Sequence, residues 1–272
     1  MSKKIGIAGA CILAVMLLAA IAAPFLAPYD PYTASGSPFM RPSSDHLLGT
    51  NDIGQDIFSE LIYGTRTSLA IGFLSAVISI SIGTAIGMTA GWFGGWLDRF
   101  LMKLTAFFMT IPFIPAVIIL SAFTKPGFLT TSLILGGMSW SGTARIVRGE
   151  TIAIRNKEYV QTILAMDAGP GYILIHHVIK EIFPLILYRG VGRVKAGILG
   201  ESSLSFLGLG STVQKSWGTM IYYAQAKNAL LTDAWLWWIL PPGISIALLS
   251  CALVMVSYYA EERADRRLEE GK

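Results

Sequence analysis

Four stretches of this chain are apolar for as long as a helix needs to cross a bilayer. Residues 5–27, 68–90, 100–123 and 236–258 each match the roughly 20 apolar residues that traverse the hydrocarbon core. Two further segments read as weaker crossings: 127–144 is short and contains glycine, and 182–207 carries several charges. The expectation is an all-α membrane protein with six transmembrane helices. Charged residues make up only 14% of the 272, against about 25% in a soluble domain. The chain therefore lacks the polar cover that water requires. Residues 5–27 follow Lys3 and Lys4 as a signal peptide would, but the run exceeds the roughly 7–15 residues of a signal core. It reads as an uncleaved anchor.

Loop cations set the direction of insertion, because Lys and Arg are retained on the cytoplasmic side. With the N-terminus inside, the cytoplasmic side holds Lys3, Lys4, Arg99, Lys103, Arg145, Arg148, Arg155, Lys157, Lys180, Arg263, Arg266, Arg267 and Lys272. The outer side holds only Arg41, Arg66, Lys125, Lys215 and Lys227. Both termini are thus expected to be cytoplasmic, in a multi-pass protein of the cell (inner or plasma) membrane. Trp235, Trp237 and Trp238 would lie at the outer lipid interface, and Tyr258 and Tyr259 at the inner one. The net charge of +4 reflects this orientation; no nucleic-acid partner is expected. Residues 1–67 comprise the first helix and an outer segment, and 68–259 a five-helix core. Within that core lie a long basic inner loop, its functional part at about 156–184, and a second outer segment, 208–234. Residues 260–272 form an inner tail. Cys11 and Cys251 fall within apolar runs, where packing is the expected role, and no metal-ligand spacing is present.

The second span holds the most regular pattern. Ser75, Ser79, Gly83, Gly87, Gly91 and Gly95 recur every four residues. Lipid supplies no hydrophobic drive between helices, so a ridge of small residues predicts close backbone packing, within this subunit or against another. Pro112 and Pro115 predict a kink in the third span. The inner stretch KEYVQTILAMDAGPGYILIHHVIKEIFP, residues 157–184, reads as a short amphipathic helix, a Gly-Pro-Gly turn and a second helix. Val160, Ile163, Leu164 and Met166 give an apolar face suited to a groove on a partner.

At this segment the chain resembles the membrane subunits of the ATP-binding-cassette importers for peptides and nickel, and among them the second (C-type) permease. The inner loop is similar to the family's EAA coupling motif: Glu158, Tyr159 and Val160 open it, and Ala165 and Ala168 follow in register. LGTNDIGQDIFSELIYGTRTSLAIG (48–72), ESSLSFLGLG (201–210), SWGTMI (216–221) and the terminal ADRRL are similar to further family segments, so the likeness covers nearly the whole chain. Some positions depart from the pattern. Gln161, Thr162 and Ile163 occupy the EAA triplet, Asp167 stands at the usual glycine, Lys180 at an expected proline, and Gln55 at a usual arginine. The resemblance implies a permease fold in which a loop of Glu158, Tyr159, Val160, Gln161, Thr162, Ile163, Ala165, Met166, Asp167, Ala168 and Gly169 docks on an ATPase. It implies as partners two ATPase subunits, a related second permease, an extracytoplasmic substrate-binding protein and the surrounding lipid. Di- or oligopeptides are the first expected cargo, and nickel or a metal chelate the alternative.

The sequence contains no G-x-x-x-x-G-K-[ST] phosphate cradle. ATP and Mg are therefore expected on the partner ATPases, with no cofactor and no enzymatic activity in this chain. Arg193, Lys195 and Glu201 in the fifth span are candidates to line the substrate path, and Arg193 and Lys195, as cations that cannot face lipid cheaply, are expected to favour anionic cargo. Arg189 is expected to reach the inner interface. His176 and His177 are adjacent, point about 100° apart on a helix and cannot easily share an ion; no metal site is expected. A stand-alone secondary transporter or channel is the rival of another class, but such proteins often show two matching halves, and this sequence shows none. A non-transporting anchor would leave the long inner loop without a use.

Overall fold

A computed structural model of the chain describes residues 2–211 and 213–270. Helix α1 (Ser2–Ile21) is followed by the short α2 (Ala23–Leu26), an irregular outer segment, and the long α3 (Ile57–Phe93). Then come α4 (Gly95–Thr110), α5 (Phe113–Ala122), α6 (Phe128–Ser139) and α7 (Ser141–Arg155). The inner loop forms α8 (Glu158–Ala165) and α9 (Pro170–Ile173), which runs through a π turn (Leu174–Val178) into α10 (Ile179–Phe206). Helices α11 (Trp217–Ala226), α12 (Trp235–Trp238) and α13 (Leu240–Glu270) complete the described chain.

Among the described residues, four helical stretches are long and apolar enough to cross a membrane: Lys4–Ile21, Ile57–Phe93, Pro170–Phe206 and Trp235–Glu261. The third expected span is not one kinked helix, because α4 and α5 meet at 86°. The reason is local. Pro112 forces the residue before it out of the helical region, and Ile111 is extended at φ −73°, ψ 122°. Pro115 causes no second break, since it lies in the first turn of α5, where its missing N–H has no helical acceptor to lose. Counting the bent pair as one span gives five crossings. Helix α6 has 12 residues, too few to cross alone, and the expected crossing at 127–144 continues past Trp140 into α7. Trp140 itself stays helical (φ −71°, ψ −28°), so the chain remains wound there.

Helix α3 is the axis of the fold and packs along α7, α10 and α6, while α1 packs on α13. The small-residue ridge provides the contact. A Cβ at Gly87 would lie 2.5 Å from the Ala144 carbonyl oxygen and 2.8 Å from Val147 Cβ; Gly83 and Gly91 meet Trp140, Thr143, Arg148 and Thr151 in the same way. Two turns further out, Ser75 takes the same role against Gly136 of α6 and Gly197 of α10, and Ser79 between them is buried. All of these contacts are internal to the subunit. Gly95 is not part of the ridge: Gly94 (φ 65°) and Gly95 (φ 61°) form the turn between α3 and α4, a left-handed backbone that glycine alone adopts without strain.

Two interface expectations are corrected. Trp237 and Trp238 do not sit in a lipid belt but are buried with Ile57, Trp217 and Leu249, because the chain folds α11 and α12 over the outer end of α3. Cys11 and Cys251 are exposed rather than packed, each on the outward side of its helix. The close α3–α7 contact yields a direct test. Gly87→Ala should lower thermal stability in detergent by about 1–3 kcal/mol, the usual cost of overpacking. Gly137→Ala, where a Cβ would meet nothing within 4 Å, should leave the melting curve in place.

Candidate functional site

The inner loop is built around one fully buried side chain. Val160 of α8 inserts among Trp92, Ile154, Ile173, Val178 and Ile182, and Ile163, Leu164 and Ala168 close over it. The apolar face expected to enter a partner's groove is thus used to seat α8 on the inner ends of α3, α7 and α10. An eight-residue helix has little stability of its own, and this burial holds it. The outward surface is made instead by Glu158, Gln161, Thr162, Ala165, Met166, Asp167 and Gly169, with Met166 78% exposed.

The departures from the family pattern are accommodated locally. Helix α8 ends in a left-handed cap: Asp167 has φ 61°, its N–H donates to Leu164 O at 3.1 Å, and Ala168 N–H donates to Ile163 O at 3.4 Å. These are the two bonds of a Schellman motif, and aspartate adopts the required backbone more readily than most residues. Gln161 Nε2 donates to Arg155 O, and Thr162 Oγ1 to Glu158 O. Pro170 begins α9, where its ring suits the first helical position.

Glu181 of α10 was not singled out from the sequence, yet it joins α8 to α10. Tyr159 Oη donates to its Oε1 at 2.5 Å, and Lys157 Nζ to its Oε2 at 2.5 Å. Burial, and then the adjoining carboxylate, push the Tyr159 phenol up to about 12, so it stays a donor at neutral pH. The residues lie 22 and 24 positions apart, beyond the reach of any helical periodicity. His176 stacks on Tyr172 at 4.4 Å, and His177 lies 6.1 Å from the Tyr159 ring. Both imidazoles are part of this aromatic surround.

The three candidates of the fifth span do not converge. The Arg193 guanidinium points at α7, where a Cβ on Gly142 would lie 2.9 Å from its Nη2. Lys195 is two residues on, about 200° around the helix, and lines a groove against α13. Glu201 is 2% exposed. Its Oε1 accepts from Ser205 Oγ at 2.7 Å and Ser216 Oγ at 2.6 Å, and its Oε2 from Ser68 Oγ at 3.3 Å. This carboxylate pins α3, α10 and α11 together rather than facing an open path.

A second buried cluster lies just outside it. Lys215 Nζ donates to Glu60 Oε1 and, at 2.7 Å, to Gln55 Oε1. Asn51 Nδ2 donates to the same two oxygens, and Gln55 Nε2 to Tyr32 O. Gln55, in place of the usual arginine, thus accepts an ammonium supplied from a distant segment. Asp56 caps α3 by accepting from Ser59 N–H, and it also pairs with buried His46 at 2.9 Å. The segments 48–72, 201–210 and 216–221, far apart in the sequence, meet here.

Comparison with known proteins agrees with this architecture. Residues 83–270 match the family described as binding-protein-dependent transport system inner membrane component. Residues 1–46 match the N-terminal TM domain of oligopeptide transport permease C. The dipeptide transport system permease protein DppC of Bacillus subtilis (strain 168) is 32% identical over 268 residues, 98% of this chain and 83% of that protein. The oligopeptide transport system permease protein OppC of the same strain is 34% identical over 221 residues, 80% and 72% of the two chains. A chain of the methionine ABC transporter MetNI, solved in inward facing conformations, shares the fold at TM-score 0.52 and 18% identity. It is matched over 70% of this chain and 97% of its own length. Proteins of this family are membrane components without catalytic activity, the ATPase being a separate subunit. The chain belongs to the binding-protein-dependent transport system inner membrane components, the multi-pass permease subunits of ABC importers.

Proposed function

We propose that this chain imports di- or oligopeptides as one of two related permease subunits, served by two ATP-binding-cassette ATPases and an extracytoplasmic binding protein. The similarity to DppC and OppC over most of the chain supports the cargo class. ATP and its Mg are placed on the ATPases. The observation that carries the mechanism is the seating of α8: its polar side is free, while its apolar side and the Glu181 joint bind it to α10. In this reading Glu158, Gln161, Thr162, Ala165 and Met166 dock on an ATPase. Closure of the ATPases then displaces α8, and Val160 with Glu181 passes the displacement to α10. The long helix α10 reaches from this joint to the outer Glu201 cluster, so one rigid element touches both faces. Of the charged residues expected on the substrate path, we retain Arg193 and release Lys195 and Glu201. A cation in the apolar layer needs a polar surround, and the α7 side of α10 is where Arg193 lies.

Tagged chain purified in mild detergent should bring two ATPases, a second permease and, with cargo, a binding protein. Reconstituted in liposomes, that assembly should accumulate labelled dipeptide only with ATP. Accumulation by this chain alone, or uptake of nickel and not of peptide, would overturn the reading. Glu181→Ala tests the joint. An exposed pair contributes only about 0–1 kcal/mol to stability, so the assembly should form normally. Loosening the joint by ~1 kcal/mol should nevertheless cut peptide uptake about fivefold, with ATP hydrolysis maintained. Tyr159→Phe should show a smaller loss of the same kind. A proportional fall in both rates would mean that Glu181 does not act in coupling.

A further inference from the structure

Lys195 is a cation on the membrane-crossing part of α10 with no hydrogen bond or ion pair among the described residues. It opens into a groove of about 230 Å³ between α10 and α13. Gly192 lies beside it on α10; Val254, Ser257, Tyr258 and Glu261 line the α13 side. Tyr258 closes the apolar run 236–258 and Glu261 follows it, so the groove runs from one membrane interface up into the apolar layer. A helical side chain leans toward its helix's N-terminus. On α10 that is the end bearing the inner loop, so the Lys195 stem points down the groove toward Glu261. The wall beside the groove is apolar and open: Ile244, Leu248, Val254 and Tyr258 of α13 are all exposed, the pattern of a lipid-facing helix side. A cation cannot be left against hydrocarbon; it needs an anion that arrives along that surface.

We infer that this groove holds the headgroup of an inner-leaflet phosphatidylethanolamine. Its phosphate accepts from the Lys195 ammonium and the Tyr258 hydroxyl, and its ammonium donates to Glu261. Basic pockets between membrane helices on the cytoplasmic side are suited to phosphate headgroups. The acid at the rim selects among them. Glu261 repels a headgroup whose charge is wholly negative and complements one carrying a cation beyond the phosphate. Gly192 keeps the space open, and no packing explains it: a Cβ there would meet nothing within 4 Å.

The test is native mass spectrometry of the protein, in its full assembly, from nanodiscs of equal phosphatidylethanolamine, phosphatidylglycerol and phosphatidylcholine. Wild type and Lys195→Arg should retain one phosphatidylethanolamine per copy. Lys195→Met should lower that retention about tenfold, the loss of one charge-assisted contact. Gly192→Leu, which fills the groove and leaves both charges, should do the same. Glu261→Gln should shift the retained lipid toward phosphatidylglycerol. Equal retention by wild type and Lys195→Met would overturn the assignment, as would a lipid identity indifferent to Glu261→Gln. A zero-length carbodiimide cross-link from Lys195 to a co-purified subunit would assign the groove to a protein contact instead. These readouts require no transport, so they stand or fall apart from the cargo reading.

Discussion

The close approach of α3 to α7, α6 and α10 is the constraint on which the other features rest. Lipid solvates leucine as well as another leucine does, so helices are held by backbone proximity and by polar contacts. Gly83, Gly87 and Gly91 allow carbonyls of α7 to come within a methyl group's width of α3. That contact places Trp92 and Ile154 side by side at the inner end, and so creates the pocket that Val160 fills. It also aligns the outer end of α3, where Ser68 and Glu60 meet the segment around Lys215 and Ser216.

Polar groups inside this bundle follow a consistent rule. A buried charge is costly unless paired or surrounded by donors. Glu201 has three serine hydroxyls, Glu60 has Lys215 and Asn51, and Asp56 has His46 and a helix N-terminus. Asp98 takes Arg148 and so links α4 to α7. All but the Asp56 cluster join elements distant in sequence. They act as fasteners between helices, and most of them lie on the segments that carry the family likeness. Lys195 has no such partner among the described residues, and its groove is a place where the bundle needs something from outside itself.

The inner loop shows how a short helix can be held rigid. Helix α8 has eight residues and would not persist in water alone. Val160 anchors it, the Asp167 cap fixes its end, and Glu181 ties its first turn to α10. The result is a small rigid plate with a free polar side. Packed atoms and charge-assisted hydrogen bonds join that plate to α10, with no slack loop between them.

Much of this was written in the local pattern of residues. Apolar length located the crossing helices, four-residue spacing marked the α3 ridge, and Pro112 marked the break before α5. The amphipathic pattern of 158–166 located α8. These features depend on neighbours along the chain, and periodicity reports neighbours. Tertiary structure decided which way each face turned. It brought the apolar side of α8 onto its own subunit, buried Trp237 and Trp238, and set Arg193 against α7, Lys195 against α13 and Glu201 among serine hydroxyls. It also paired Glu181 with Tyr159 and Lys215 with Glu60. The physical reason is that a side chain's role depends on what lies opposite it. In a bundle of this kind the opposing atoms come from segments many residues away, where no spacing rule reaches.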